Sequence, residues 1–63
     1  MNSPWLEVYH FTFKGIEGRI EKSGQSVFVC YGNGGAHLDS LAKPLHDFVI
    51  TVMKREPDRR YMK

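Results

Sequence analysis

The sequence predicts an α+β domain: a three-stranded antiparallel β-meander followed by one C-terminal α-helix packed on one sheet face (βββα). Two turn signals, Lys14-Gly15 and Ser23-Gly24, separate three segments in which apolar and polar residues alternate. A later segment, residues 38–53, carries apolar residues at helical spacing. A chain of 63 residues supports one hydrophobic core.

Both turn signals place glycine at the second loop position, where a tight two-residue hairpin needs a positive φ. We expect the first hairpin to pair Phe13 with Ile16. We expect the second to pair Ile20 with Val27. These registers place one apolar set on a single face, with Gly18 leaving room between two of its members, Phe11 and Val29. The complete set is Tyr9, Phe11, Phe13, Ile16, Ile20, Val27, Val29 and Tyr31. A slip of one residue would send this set to the other face, so two separate turns support one surface.

The segment after the third strand predicts a loop and then a helix. Gly32 to Gly35 are interpreted as a flexible strand-to-helix connection; an anion-binding nest is the alternative, but Asp39 would repel phosphate. Asp39 or Ser40 can cap the helix, Pro44 suits only its first turn, and the helix is therefore expected to start near Leu41. The apolar stripe contains Leu38, Leu41, Leu45, Phe48, Val49, Val52 and Met53.

The opposite sheet face is predicted to be mixed and uncovered, because the chain offers only one helix. Its expected members are Leu6, Val8, His10, Thr12, Glu17, Arg19, Glu21, Phe28 and Cys30. Both outer strands of the meander would also expose backbone groups. Small domains need extra stabilisation, and a single cysteine excludes an internal disulfide. We therefore expect a homodimer, formed through this face or through an edge strand.

The residues predicted to bind a protein partner lie on two surfaces. They are Leu6, Val8, His10, Arg19 and Phe28 on the sheet, and His46 and Ile50 beside the helix stripe. His10, Arg19 and Phe28 are expected in one cross-strand row, an arrangement that can also bind nucleic acid. The architecture is similar to integrase arm-binding and plant AP2-type domains, which read DNA from a sheet. Glu17 and Glu21 flank Arg19, however, and would repel phosphates.

The C-terminal segment is basic. We divide the chain into a domain at 1–56 and a short basic tail at 57–63. Residues 54–63 contain five basic and two acidic side chains, a net charge of +3. Such charges complement a helix dipole and aid solubility. They also support an alternative function as a nucleic-acid-binding module that uses Arg19, Lys22, Lys54, Arg55, Arg59 and Arg60.

The sequence predicts no enzyme, no cofactor and no metal site. Cys30 and His10 are expected on the two outer strands, and the sequence offers His10 no obvious orienting partner. His37, Asp39 and His46 lack the spacing of helical metal ligands. Without a secretory signal or a run of ~20 apolar residues, the chain is expected to be cytoplasmic and not membrane-bound. The favoured function is a non-enzymatic regulator or inhibitor that docks on a larger protein as a homodimer.

Overall fold

A computed structural model of the chain describes residues 5–62. It contains an antiparallel five-stranded sheet with one α-helix packed on it, so the α+β class is confirmed and the sheet has two more strands than predicted. The strands are β1 (Trp5–Phe13), β2 (Ile16–Ser23), β3 (Ser26–Tyr31), β4 (Gly34–His37) and β5 (Arg59–Met62). Their order across the sheet is β4-β3-β2-β1-β5. A 3-10 helix (Leu38–Ser40) and helix α1 (Lys43–Val52) connect β4 to β5.

The first hairpin has the predicted register. Phe13 pairs with Ile16, and Tyr9 pairs with Ile20. Lys14 and Gly15 have φ angles of 54° and 78°. Positive φ at both loop positions is typical of a type I′ turn, whose twist matches the twist of the flanking strands.

The predicted register of the second hairpin is wrong by two residues. Ser23 pairs with Ser26 around a Gly24-Gln25 loop, and Ile20 pairs with Val29. Gly24 has a φ of 59°, so the glycine occupies the first loop position, as in type II′ turns. Because the shift is two residues rather than one, every side chain stays on its predicted face.

The glycine-rich segment that was predicted to be a flexible connection is instead a third hairpin. Its two-residue loop is Gly32-Asn33, with a φ of 62° at Gly32. Tyr31 pairs with Gly34, and β4 continues along β3 as far as His37. The third strand, predicted to be an edge, is therefore an interior strand.

Four residues of the predicted basic tail form β5. Arg59 pairs with Val8, and Met62 pairs with Trp5. The first strand was also predicted to be an edge, and it too is interior. The edges of the sheet are β4 on one side and β5 on the other.

Helix α1 begins at Lys43, two residues later than expected. Its N-cap is Ala42, and neither Asp39 nor Ser40 caps it. Pro44 lies in the first turn as predicted, where the missing N–H breaks no intrahelical hydrogen bond. Leu38, which was assigned to the helix stripe, lies in the preceding 3-10 helix and still packs against the core.

The core lies between α1 and the sheet face that we call the core face. Ile20, Val29 and Val49 are fully buried there. Around them pack partly buried residues of the predicted sets, namely Phe13, Val27, Tyr31, Leu38, Leu41, Leu45, Phe48 and Met53. Ile16, which was also predicted for the core, is 45% exposed at the end of the sheet.

Gly18 makes room on the core face for an aromatic ring. A Cβ atom at Gly18 would lie 2.3 Å from Cζ of Phe11. The Phe11 ring also stacks on Tyr31 with 6.0 Å between ring centroids. Because of the corrected register, the glycine lies between Phe11 and Tyr31 and not between Phe11 and Val29.

Candidate functional site

The side of the sheet opposite α1 is the open face. The strand pairing confirms that all nine residues predicted for this face, the set that begins with Leu6 and ends with Cys30, lie on the open face. The open face also contains His37 of β4 and Arg59 and Tyr61 of β5. The five strands form a single sheet, and both α1 and Leu38 pack on the core face. Within residues 5–62, no helix or strand therefore covers the open face.

Phe28 is an aromatic side chain of the open face on β3, one strand in from the β4 edge. It pairs with Glu21 on β2 and with His37 on β4. Its ring packs over Gly35, where an added Cβ would lie 2.9 Å from the ring, and it meets the His37 ring edge-on at a centroid distance of 5.3 Å. These contacts leave Phe28 half-buried, so its orientation is fixed by the chain itself.

The expected row of His10, Arg19 and Phe28 is wrong. The corrected register pairs Arg19 with Cys30, so the row is His10, Arg19 and Cys30. His10 and Cys30 lie two strands apart in this row, with Arg19 between them. In the described part of the chain, no three His, Cys, Asp or Glu side chains are grouped to hold a metal ion.

Charges of both signs lie beside Phe28 on β2. Arg19 Nη2 lies 3.1 Å from Glu21 Oε2, and these side chains are 51% and 34% exposed. A solvent-exposed pair of this kind contributes little to folding stability. Both groups therefore remain accessible to a partner surface.

His10 is held at the border of the open face by a set of contacts that we call the edge clamp, formed by His10, Arg55 and Asp58. The His10 backbone N–H donates to Asp58 Oδ2 at 2.8 Å, and Arg55 Nη2 donates to the His10 carbonyl. The Asp58 backbone N–H donates to the Val8 carbonyl at 2.8 Å. The hydrogen bond from the His10 backbone, with a smaller effect of the Arg55 charge, lowers the pKa of Asp58. The edge clamp continues the pairing of β1 beyond the end of β5.

The six basic residues of the nucleic-acid alternative do not share one surface. Arg19 and Arg59 lie on the open face, Lys22 and Arg60 on the other side of the same strands, and Lys54 and Arg55 between α1 and β5. Lys22 Nζ and Arg60 Nε both approach the Glu7 carboxylate, at 3.9 and 3.7 Å. Arg55 belongs to the edge clamp. Much of the positive charge is therefore next to an acidic side chain.

The two helical residues predicted to bind a partner lie away from the open face. His46 and Ile50 are half-buried on α1, which packs on the core face. His46 Nδ1 lies 3.2 Å from Asp47 Oδ1, and Lys43 donates to the same carboxylate at 3.0 Å. The Lys43 hydrogen bond and then the His46 contact lower the pKa of Asp47.

On the open face, Val8 contributes almost no surface, since only 4% of it is exposed. Leu6, His10, Arg19 and Phe28 remain accessible in part. The predicted partner-binding residues did not include Tyr61, which is 44% exposed and pairs with Leu6, or His37 beside Phe28. The sequence signal for Tyr61 was its two-residue spacing from Arg59, which is typical of a strand. The signal for His37 was the Gly32-Asn33 turn, which starts a hairpin.

Nothing matches this chain among protein-family models, curated proteins or solved structures. In the described range, no helix has the length and apolar character needed to cross a membrane. Function must therefore be argued from the geometry of the chain.

Proposed function

We propose that this chain is a non-enzymatic regulator or inhibitor that docks on a larger protein and acts as a homodimer joined through the open face. The observation that supports this proposal most directly is the half-buried Phe28 ring, held by its contacts with Gly35 and His37 on a sheet face that no described helix or strand covers. A partly exposed aromatic side chain surrounded by polar groups is typical of protein interfaces.

A second copy fits the open face because the face is self-complementary. A two-fold axis brings the same patch of both copies together, so each type of contact occurs twice. Glu21 is the cross-strand partner of Phe28, and Arg19 carries the opposite charge two residues away on the same strand. With a two-fold axis that crosses β2 between these two residues, Arg19 of one copy meets Glu21 of the other, and the two Phe28 rings lie close together.

The small core gives the chain a reason to associate. Within residues 5–62, the largest fully buried side chains are Ile20, Val29 and Val49. A standard interface buries about 800 Å² per partner, roughly one sixth of the 4595 Å² surface of this chain. Association of folded copies stabilises the fold by mass action. The larger target protein would then contact surfaces that the dimer leaves exposed.

The test is solution mass by light scattering coupled to size exclusion, over a concentration series. We expect a mass approaching twice the 7.3 kDa chain mass, and we expect Phe28→Asp to shift the protein to a folded monomer. Ala42→Asp adds the same charge at the exposed N-cap of α1 and should leave the dimer intact. Monomeric wild-type protein at every concentration would exclude the dimer, and a shift seen only with added DNA or RNA would favour the nucleic-acid alternative.

A charge swap provides an independent control for the orientation of the two copies. Arg19→Glu should weaken association because it places like charges across the two-fold axis. Adding Glu21→Arg to that variant restores both the pair within one chain and the pair between chains. If the double variant associates no better than Arg19→Glu alone, the interface does not use these two side chains.

A further inference from the structure

The outer edge of β4 offers unpaired backbone groups. Around the Gly32-Asn33 loop, Tyr31–Gly34 and Val29–Ala36 are the hydrogen-bonded pairs of the antiparallel ladder. The N–H and C=O groups of Gly35 and His37 therefore point away from β3. In the sheet formed by residues 5–62, no strand lies on that side of β4.

An apolar cleft adjoins this edge on the core face. Its volume is about 170 Å³, and it lies between β4, with Gly34–Ala36 on one wall, and Leu41 and Leu45 on the other. Val29 contributes to its lining. An apolar cavity of about 150 Å³ accommodates a benzene molecule, so the cleft has room for one leucine or phenylalanine side chain.

We propose that the edge of β4 binds an extended segment of the partner protein as a sixth strand, with one apolar side chain of that segment in the cleft. This inference deepens the proposed function, on which it rests, by naming the part of the target that is recognised. Main-chain hydrogen bonds to Gly35 and His37 supply affinity, and the cleft supplies selectivity for every second side chain.

A second copy of this chain, paired through its own β4, would not fill the cleft. If two β4 strands paired with each other, each would offer Gly34 and Ala36 to the core side of its partner. A hydrogen atom and a methyl group are too small to fill the cleft. The occupant must instead be a strand with a larger apolar residue at that position.

The composition of β4 also permits an added strand. Exposed edges are commonly protected by lysine, proline or a bulge, and β4 (Gly34–His37) contains neither lysine nor proline. The short length of β4 is its main protection against edge pairing. Gly34 leaves open space toward the cleft, since a Cβ there would meet nothing within 4 Å.

Binding can be measured by fluorescence anisotropy with three labelled peptides in which threonine alternates with apolar residues and lysine stands at each end. The peptides are identical except for a central leucine, phenylalanine or alanine. We expect the leucine or phenylalanine peptide to bind about tenfold or more tightly than the alanine peptide, because only a large side chain fills the cleft.

Two protein variants and one control variant test the edge and the cleft separately. His37 has a φ of −69°, which suits proline, so His37→Pro removes one outward N–H without removing a β3–β4 hydrogen bond. It should weaken binding by about tenfold. His37→Ala keeps the N–H, loses the imidazole as His37→Pro does, and should bind like the wild type. Gly34→Leu fills the cleft with the chain's own side chain and should abolish the preference for a large central residue.

Three results would overturn the proposal: no binding of any peptide, equal binding by the His37→Pro and His37→Ala variants, or a wild-type dimer that only His37→Pro dissociates. The last result would assign the edge to a second copy. Arg19→Glu lies on the open face and should retain peptide binding while it weakens the dimer. Failure of peptide binding and failure of the open-face dimer are therefore distinguished in the same set of variants.

Discussion

The two faces of the sheet come from the same strands but differ in what their side chains do. Along β3, Val29 is fully buried against the core, whereas its neighbour Phe28 is half-buried on the open face and packs over Gly35. Successive side chains of a strand point to opposite sides, so one short segment can serve both surfaces. We therefore expect stability to depend mainly on the core face, while the open face carries exposed charges such as Arg19 and Glu21.

The two edges of the sheet differ in composition. Next to β1, the outer strand β5 begins with Arg59 and Arg60, and the edge clamp holds His10 of β1 beyond β5. On the other side, β4 (Gly34–His37) contains no lysine or arginine and adjoins the apolar cleft. Because charged side chains protect exposed edges, β4 is the edge better suited to accept an added strand.

The largest expected effect tests the two faces with adjacent residues of β3. Val29→Ala should lower the free energy of unfolding by about 2–3 kcal/mol, because it removes buried methyl groups and leaves a cavity. Cys30→Ala, on the open face, should lower it by less than about 1 kcal/mol. Urea unfolding followed by circular dichroism measures both changes. Equal losses at the two positions would contradict the division into a core face and an open face.

The sequence was sufficient to predict the faces of the meander but not its second register. The alternation of Ile20, Val27 and Val29 determines which side each residue occupies, and that assignment tolerates shifts of two residues. The register depends on which loop position holds glycine. Gly24 can occupy either position of a two-residue loop, because both type I′ and type II′ turns accept glycine with positive φ.

The two strands that were not predicted, β4 and β5, were missed for different physical reasons. β4 has few side chains to form an apolar pattern, since two of its four residues are glycine. Its loop nevertheless has glycine at the first position, as the second hairpin does, so the turn chemistry was present in the sequence. β5 is basic and pairs with a strand about 50 residues earlier in the chain. Such a long-range pairing leaves no local signal.

The candidate site was predictable to the extent that it depends on alternation alone. Leu6, Arg19 and Phe28 share the open face as expected. The neighbours of Phe28 could not be predicted, because Gly35 and His37 belong to a strand that was not foreseen. The edge clamp was missed for a related reason, since Asp58 was assigned to a free tail.

A smaller effect on stability is expected when the two core-face glycines, Gly18 and Gly34, are replaced by alanine. Gly18→Ala places a Cβ against the Phe11 ring, which is itself packed against Tyr31 and Phe48, and should cost about 1–2 kcal/mol of stability. Gly34→Ala enters open space and should be neutral or slightly stabilising, since alanine restricts the unfolded chain. Thermal unfolding of the two variants gives the comparison. A stable Gly18→Ala protein would show that the Phe11 ring can move without loss of packing.

The smallest expected effect concerns the edges and depends on pH. The pKa of Asp58 is lowered chiefly by the hydrogen bond from the His10 backbone N–H. A carboxyl with a lowered pKa stabilises the fold above its unfolded pKa, about 3.9, and loses that contribution as the pH falls through its folded value. The edge clamp should therefore weaken progressively below about pH 4. By NMR, the His10 amide proton should shift together with the titration of the Asp58 carboxyl.

Asp58→Asn should abolish this acid titration of the His10 amide, because the amide side chain does not ionise. Asp47 is the matched control, since its pKa is also lowered but its partners, Lys43 and His46, both lie within α1. Asp47→Asn should leave the titration of the His10 amide unchanged. If the amide shift of His10 is constant over the acid range, or responds equally to both variants, Asp58 does not hold the β1 edge in solution. In that case the segment of β1 around His10 would also be open to an added strand, and the selectivity proposed for β4 would depend on its cleft alone.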